Sequence, residues 1–262
     1  MPGGLLKNKE LIWQLTKRDV LMRYKGSLLG VIWSLITPLI MLGIYTFVFG
    51  VVFQARWDRQ IDNYFEFALI LFCGLIVFGI FAEVVSRAPL LIINNPNYIK
   101  RVVFPVEILV PTLFGAALFN AFLSFVILIL AIFVLKGSLS LTILYLPLVL
   151  TPLIFFSLGL AWFLASTGVY IRDIVQVVPI IVTALMFLSP IFYPISIIPN
   201  YLQWVYMINP LSYVVEDARQ IIIWGNTPNW LWLALGTLLG IMTAFLGLLW
   251  FNKTKKGFAD VI

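Results

Sequence analysis

The sequence has no histidine and a single cysteine, Cys73, which lies in an apolar run. That leaves too few soft or imidazole ligands for a zinc, haem or iron–sulfur site and excludes a disulfide framework. Charge is scarce as well: 11% of the 262 residues are Asp, Glu, Lys or Arg, against roughly 25% in an ordinary soluble domain. No G-x-x-x-x-G-K-[ST] loop occurs, so the chain does not cradle ATP phosphates by that route. From Ser27 to Ala55, Phe67 to Ala82, Ile108 to Leu135, Gly137 to Ile171, Ile174 to Val215 and Gln220 to Asn252 the only ionisable groups are tyrosines and Cys73. A proton- or sodium-driven transporter keeps intramembrane carboxylates or bases despite a cost of roughly 2.5 to 3.5 kcal/mol each. An intramembrane hydrolase or transferase needs a nucleophile with a base or a metal. Both classes are disfavoured. Glu83 and Glu107, near the ends of two apolar runs, read as structural partners for Arg87, Lys100 or Arg101.

What is present is 62% hydrophobic residues in long runs, the composition of an all-α integral membrane protein. Six runs read as spans, at 27–53, 67–85, 108–135, 141–170, 175–193 and 231–251. The first is too long for the core of a signal peptide and has no small-x-small site close behind it, so it reads as a retained span. Pro38 predicts a kink in it, Pro147 and Pro152 bends in the fourth, and Pro190 and Pro194 a break at the far end of the fifth. Ahead of the first span, residues 1–26 read as an amino-terminal interfacial helix. There Lys9, Lys17, Arg18, Arg23 and Lys25 meet anionic headgroups while Trp13 and Tyr24 sit at the boundary. A solvated basic tail is the other reading, because Asp19 shares the apolar side with Leu11 and Leu15. Two short apolar pieces within 197–224, divided at Asn209-Pro210, read as re-entrant or interfacial. With six spans and both termini inside, 13 of the 17 Lys and Arg fall inside, and only Arg56, Arg59, Lys136 and Arg219 outside. This split follows the positive-inside rule and accounts for the net charge of +6 without any nucleic acid.

Between the second and third spans, Asn95-Pro96 supplies an N-cap and a first-turn proline for a short basic helix within 94–103, stopped before Pro105. A chain that moves cargo uphill without its own ATPase needs a surface to receive work from another polypeptide. This helix is placed for that; an ordinary loop helix fits the same residues. Rings are abundant, with 9 Trp, 10 Tyr and 22 Phe. Many belong to interfacial belts and lipid-facing packing. Trp33, Tyr45 and Phe49 on the first span and Phe187, Phe192 and Tyr193 on the fifth are dense enough to line a path on which pyranose rings stack while their hydroxyls stay hydrated. Gly26-x-x-x-Gly30 and Gly236-x-x-x-Gly240, continued by Ala244 and Gly247, offer close helix contacts within one chain or between two.

Several of these stretches carry a family resemblance. They are KRDVLMRYKGSLLGVIWSLITPLIMLGIYTFVFG (Lys17 to Gly50), NNPNYIKRVVFPVEILV (Asn94 to Val110), VYIRDI (Val169 to Ile174), SPIFYP (Ser189 to Pro194), INPLSYVVEDAR (Ile208 to Arg219) and FADVI (Phe258 to Ile262). In order and spacing they resemble the membrane subunit of type-2 ABC exporters of polysaccharides and polyol phosphates. The resemblance implies a homodimer of six-span permeases in the bacterial inner membrane, both termini cytoplasmic, surrounded by membrane lipids and docked on a separate Wzt-like ABC ATPase. That ATPase would bind the ATP and Mg²⁺; the chain itself would bind no cofactor or metal and be no enzyme. The implied cargo is a polysaccharide on an undecaprenyl-diphosphate carrier, O-antigen first, with teichoic acid or capsular polysaccharide as the alternative and a drug or lipid third. By the same resemblance, Asn95, Pro96, Asn97, Tyr98, Lys100 and Arg101 contact the ATPase, and 197–224 forms an outer gate with Tyr201, Trp204, Tyr206 and Tyr213. Arg18, Arg23 and Lys25 are expected to attract the carrier diphosphate.

Overall fold

The computed structural model describes residues 7–23, 25–27, 29–52, 64–99 and 104–261, and every regular element among them is helical. In chain order the α-helices are α1 (Lys9–Arg23), α2 (Trp33–Tyr45), α3 (Tyr64–Leu91), α4 (Pro96–Ile99), α5 (Leu109–Lys136), α6 (Leu146–Val149), α7 (Thr151–Tyr170), α8 (Ile174–Phe187), α9 (Gln203–Ile208), α10 (Pro210–Arg219), α11 (Trp230–Thr254) and α12 (Phe258–Val261). Four stretches are long and apolar enough to cross a membrane: Phe65–Leu91, Val106–Lys136, Leu141–Tyr170 and Trp230–Gly257. Trp33–Val48 and Ile174–Phe187 are shorter apolar helices. The central element is α3, whose apolar window is 72% buried against 17% for that of α11. On the periphery Val134, Ile180, Leu238 and Phe245 are exposed, a surface suited to hydrocarbon rather than water.

Prolines and glycines set where the helices stop and how closely they approach. Pro152 has no amide for the Leu148 carbonyl, and the Thr151 hydroxyl donates to that oxygen instead, at 2.7 Å. The fourth apolar run accordingly divides into a 3₁₀ turn (Leu141–Tyr145), α6 and α7, as Pro147 and Pro152 predict. By contrast α2 stays α-helical through Pro38, and the departure falls later, in the wide π turns of Thr46–Val52. The second span, expected to end at 85, continues as helix to Leu91 because Glu83 and Arg87 form an i,i+4 pair at 3.3 Å and Pro89 removes only one hydrogen bond near the end. The fifth stops at Phe187 rather than 193, ahead of Pro190. Gly26 and Gly30 are turn residues at φ of +89° and +52° with no described residue packed on them, so that pair makes no helix contact within this chain. The second small-residue stripe does pack, within the chain: a Cβ on Gly247 would lie 2.1 Å from the Gly159 carbonyl oxygen of α7.

Both described ends of the chain lie at one end of the bundle. There α1 rests on α5, with the Thr16 hydroxyl 3.4 Å from the Thr112 carbonyl, and Lys255 pairs with Glu107 at 3.2 Å. Tyr170, closing α7, donates to the Thr254 carbonyl at 2.7 Å. The opposite end carries α9, α10 and the turn Gln220–Trp224. Its Ile223 and Ile221 carbonyls accept from Lys136 at 3.1 Å and Thr142 at 2.6 Å.

Candidate functional site

Two polar clusters, one at each end, bracket an apolar cleft. At the α1 end, Gly115 lets α1 lie close on α5, since a Cβ there would sit 2.8 Å from the Thr16 hydroxyl. That contact aims the Asp19 and Arg23 side of α1 at α3. Asp19 pairs with Arg87 at 3.2 Å, which is why an acid interrupts the apolar side of α1. Arg23 pairs with Glu83 and lies 4.0 Å from Asp19, while Glu83 also accepts from Arg87 at 3.3 Å and from the Asn120 amide at 3.2 Å. Glu83 thus has the partner expected in Arg87 and a second, unforeseen one in Arg23. Glu107 takes Lys255 instead of Arg87.

The three cations expected at the entrance do not converge. Arg18 turns toward α4, donates to the Tyr98 hydroxyl and stands 5.4 Å from the centre of that ring, which itself stacks on Phe104 at 4.4 Å. Arg23 joins the carboxylate cluster. Lys25, just past α1, is exposed and makes no ion pair among the described residues. On α4, Asn97 is exposed, whereas the Asn95 amide donates back to the Leu91 carbonyl at 2.8 Å and closes α3. Lys100 and Arg101 lie outside the described residues. A hollow of about 310 Å³ lies between Arg18 and Asn94–Tyr98.

From Glu83 and Asn120 a cleft of about 320 Å³ runs along α3, walled by Pro38, Met41 and Tyr45 of α2 and by Met186 of α8. Of the rings expected to line a path, Trp33 and Phe187 are exposed and Tyr45 borders the cleft. Phe192 is only 2% exposed: it packs in the core against Tyr45 and Phe187, with centroids 5.4 and 5.6 Å away, and so offers no face to a path in this conformation. Tyr193 is half-buried, its hydroxyl donating to the Phe187 carbonyl and lying 2.7 Å from that of Tyr206. The Phe49 side chain lies outside the described residues. In the segment expected to form a gate, Tyr201 and Trp204 are exposed, Tyr206 is buried and Tyr213 stacks on Trp232 at 4.4 Å.

The second cluster forms where α8 ends. A helix leaves its last carbonyls without intrahelical donors, and here side chains from the following segment supply them one after another. Tyr193 serves Phe187. The Asn209 amide reaches the Leu188 carbonyl at 3.4 Å and the Ser189 hydroxyl at 2.9 Å, and Arg219 donates to the Pro190 and Ile191 carbonyls at 2.6 and 2.9 Å. Arg219 also donates to the Ile70 carbonyl of α3 at 3.2 Å and lies 3.7 Å from Glu216. It is fully buried, so a residue counted among the outer charges lies in the packed interior, which is not free of charge. Gly74 makes the room: a Cβ there would stand 2.6 Å from an Arg219 nitrogen. The neighbouring Asp217 accepts from the Asn229 amide at 3.0 Å, tying α10 to the start of α11. Burial pushes its carboxyl up from the ordinary carboxylate range, and the Asn229 N–H opposes the shift. The pairing of Arg219 with Gly74 is not visible in sequence; the one signal is an arginine closing an amphipathic piece just after Glu216 and Asp217.

A bundle clad in apolar side chains and closed by polar clusters at its two ends is an integral membrane protein. The chain belongs to the ABC-2 type transporter family, whose profile matches residues 10–223. It is 28% identical to the O-antigen export system permease protein RfbA of Klebsiella pneumoniae over 255 residues, covering 97% of this chain and 95% of that protein. It is 28% identical to the polysialic acid transport protein KpsM of Escherichia coli over 264 residues, 97% of each chain. A similarity of 24% over 241 residues links it to the RfbA of Myxococcus xanthus, covering 92% of this chain and 80% of that one. The expectation of an ABC permease related to polysaccharide exporters is met.

Proposed function

We propose that the protein is the membrane subunit of an ATP-driven exporter of O-antigen polysaccharide on an undecaprenyl-diphosphate carrier. It works as a homodimer of six-span subunits, with both termini on the cytoplasmic side of the inner membrane and ATP hydrolysed on a partner ATPase. The observation that carries this reading is the junction of a cation–carboxylate cluster with an apolar cleft, Arg23 and Arg87 held by Glu83 at the cleft's end. Before cargo arrives the carboxylates satisfy the arginines. A diphosphate competes for them with more charge and more acceptor oxygens, so the cluster exchanges one anion for another at little desolvation cost. Lys25, two residues past Arg23 and without an ion pair among the described residues, adds a further cation, and the prenyl chain finds hydrocarbon at once. The relative named for polysialic acid supports a second reading, in which the same machinery moves a capsular polymer.

Because Arg23 also holds structure, the decisive experiment compares two ways of breaking its pair. With the permease and its ATPase reconstituted together, Arg23→Ala with Lys25→Ala is expected to weaken stimulation of ATP turnover by lipid-linked polysaccharide about tenfold or more, the size of a lost charge-assisted hydrogen bond. Glu83→Gln breaks the same pair but keeps the cation, and is expected to leave stimulation intact or stronger. Equal losses in both would make the cluster purely structural, and wild-type behaviour of the Arg23/Lys25 variant would discard the diphosphate role. Polymers of the two kinds, tested side by side, separate the two cargo readings.

Coupling is assigned to α4. Arg18 and Tyr98 join it to α1, so a push on α4 moves the helix that carries Arg23. Tyr98→Ala is expected to leave the permease folded and bound to the ATPase while lowering export per ATP hydrolysed by several-fold. Unchanged stoichiometry would remove the assignment.

A further inference from the structure

A larger cleft, of about 720 Å³, lies along α1, between it and α5. Its α1 wall is the stripe Lys9, Ile12, Trp13, Thr16, Lys17 and Val20, at the i, i+3, i+4 spacing of one helix face, and its α5 wall includes Leu118, Phe119 and Phe122. Trp13 and Phe122 are 69% and 63% exposed, so the apolar walls stand open. The polar members of the lining that carry charge are Lys9 and Lys17; no carboxylate lines it, and neither lysine forms an ion pair among the described residues. The arginines near the carboxyl end of α1 differ in this respect, since Arg23 of α1 and Arg87 of α3 are held by acids.

The depth of the cleft follows from helix length. At 28 residues, α5 runs about 42 Å and overshoots a hydrocarbon core of ~30 Å by roughly two turns. The part of α5 that α1 covers is its beginning, around Thr112 and Gly115, so the cleft sits where hydrocarbon meets headgroups. We propose that it binds one anionic phospholipid of the surrounding bilayer, an acyl chain lying against Trp13, Leu118 and Phe122 and the phosphate between Lys9 and Lys17. The flexible four-carbon stems let both ammoniums reach one headgroup while their methylenes cover the chain. Such a lipid would wedge α1 onto α5 and thereby hold the helix that presents Asp19 and Arg23 to α3. This site is separate from the carrier cluster and stands or falls independently of the cargo.

Trp13 is a built-in reporter. The full-length permease is placed in vesicles carrying brominated-chain phosphatidylglycerol or brominated-chain phosphatidylcholine, and the signal lost in Trp13→Phe isolates the quenching at that ring. Phosphatidylglycerol is expected to quench Trp13 at a lower mole fraction than phosphatidylcholine by roughly five- to thirtyfold, from two lysines at the headgroup plane. Lys9→Gln with Lys17→Gln is expected to erase that preference, both changes being exposed and leaving the packing of α1 untouched. Leu118→Phe, which narrows the cleft, is expected to weaken quenching by both lipids. Equal quenching by the two lipids in the wild type, or a preference that survives the lysine substitutions, overturns the proposal. So does a disulfide formed between two copies of Trp13→Cys in a Cys73→Ala background, which would give the cleft to a second chain.

Discussion

Arg219→Met is expected to leave little folded protein in the membrane, although it removes a buried charge from an apolar interior. An unpaired arginine would be costly there, and methionine would ordinarily be the better tenant. The geometry reverses that expectation. The Pro190 and Ile191 carbonyls lie beyond the end of α8 and have no backbone donor in a helix, and Arg219 serves both. Without it two buried acceptors lose their partners at about 1–3 kcal/mol each, in a bilayer where no water replaces them. The loss of roughly 2–5 kcal/mol is a large part of the about 5–15 kcal/mol that holds a typical domain folded. Lysine cannot restore it, because the guanidinium donates in three directions at once, to α3 and to two residues of the chain after α8. Gly74→Ala should act the same way from the other side, by pushing its Cβ into the guanidinium. Thermal unfolding of purified variants and the yield of detergent-stable protein measure both, and wild-type midpoints for Arg219→Met would show that the carbonyls find other donors.

Gly247→Leu is expected to separate α7 from α11 and cost more than any surface substitution on the same helix. Along this contact Gly159 would bring a Cβ within 2.4 Å of the Thr243 carbonyl, Gly240 within 2.9 Å of the Pro152 carbonyl and Gly247 within 2.1 Å of the Gly159 carbonyl. In each case the obstacle is backbone, which cannot swing aside as a side chain does. Membrane helices have no hydrophobic drive to associate and rely on such close fit. Even Gly247→Ala should cost about 1–3 kcal/mol by overpacking, and leucine more. Leu246→Ala, on the exposed neighbouring position, serves as the control and should change the unfolding midpoint little. Because the contact lies within one chain, the variants should lose folded monomer rather than shift an oligomer equilibrium. A change in oligomeric state with an unchanged midpoint would contradict this.

Much of this protein was decided along the chain, because its solvent is lipid. The long uncharged runs, the tight turn that Gly137 makes at φ +70° after α5 and the break at Pro147 and Pro152 are local consequences of hydropathy and backbone chemistry. So was the N-cap at Asn209 ahead of Pro210, where the side chain accepts from the Leu211 amide at 3.0 Å. The family resemblance was legible too, in stretches that take in helix ends such as Val169–Ile174, where α7 closes and α8 begins. Partnership was not legible. The sequence places Arg23 among cations at the membrane surface and counts Arg219 among the outer charges, yet the first is held by an acid 60 residues away and the second fills a cage built from carbonyls 28, 29 and 149 residues away. Phe192 looked like a path-lining ring and packs in the core; Gly26 looked like a packing glycine and makes a turn. A lone sequence states which groups are costly to leave unpaired. Only the tertiary arrangement decides what pairs with them, because hydrogen bonds and close contacts act over a few ångströms between segments that hydropathy cannot order.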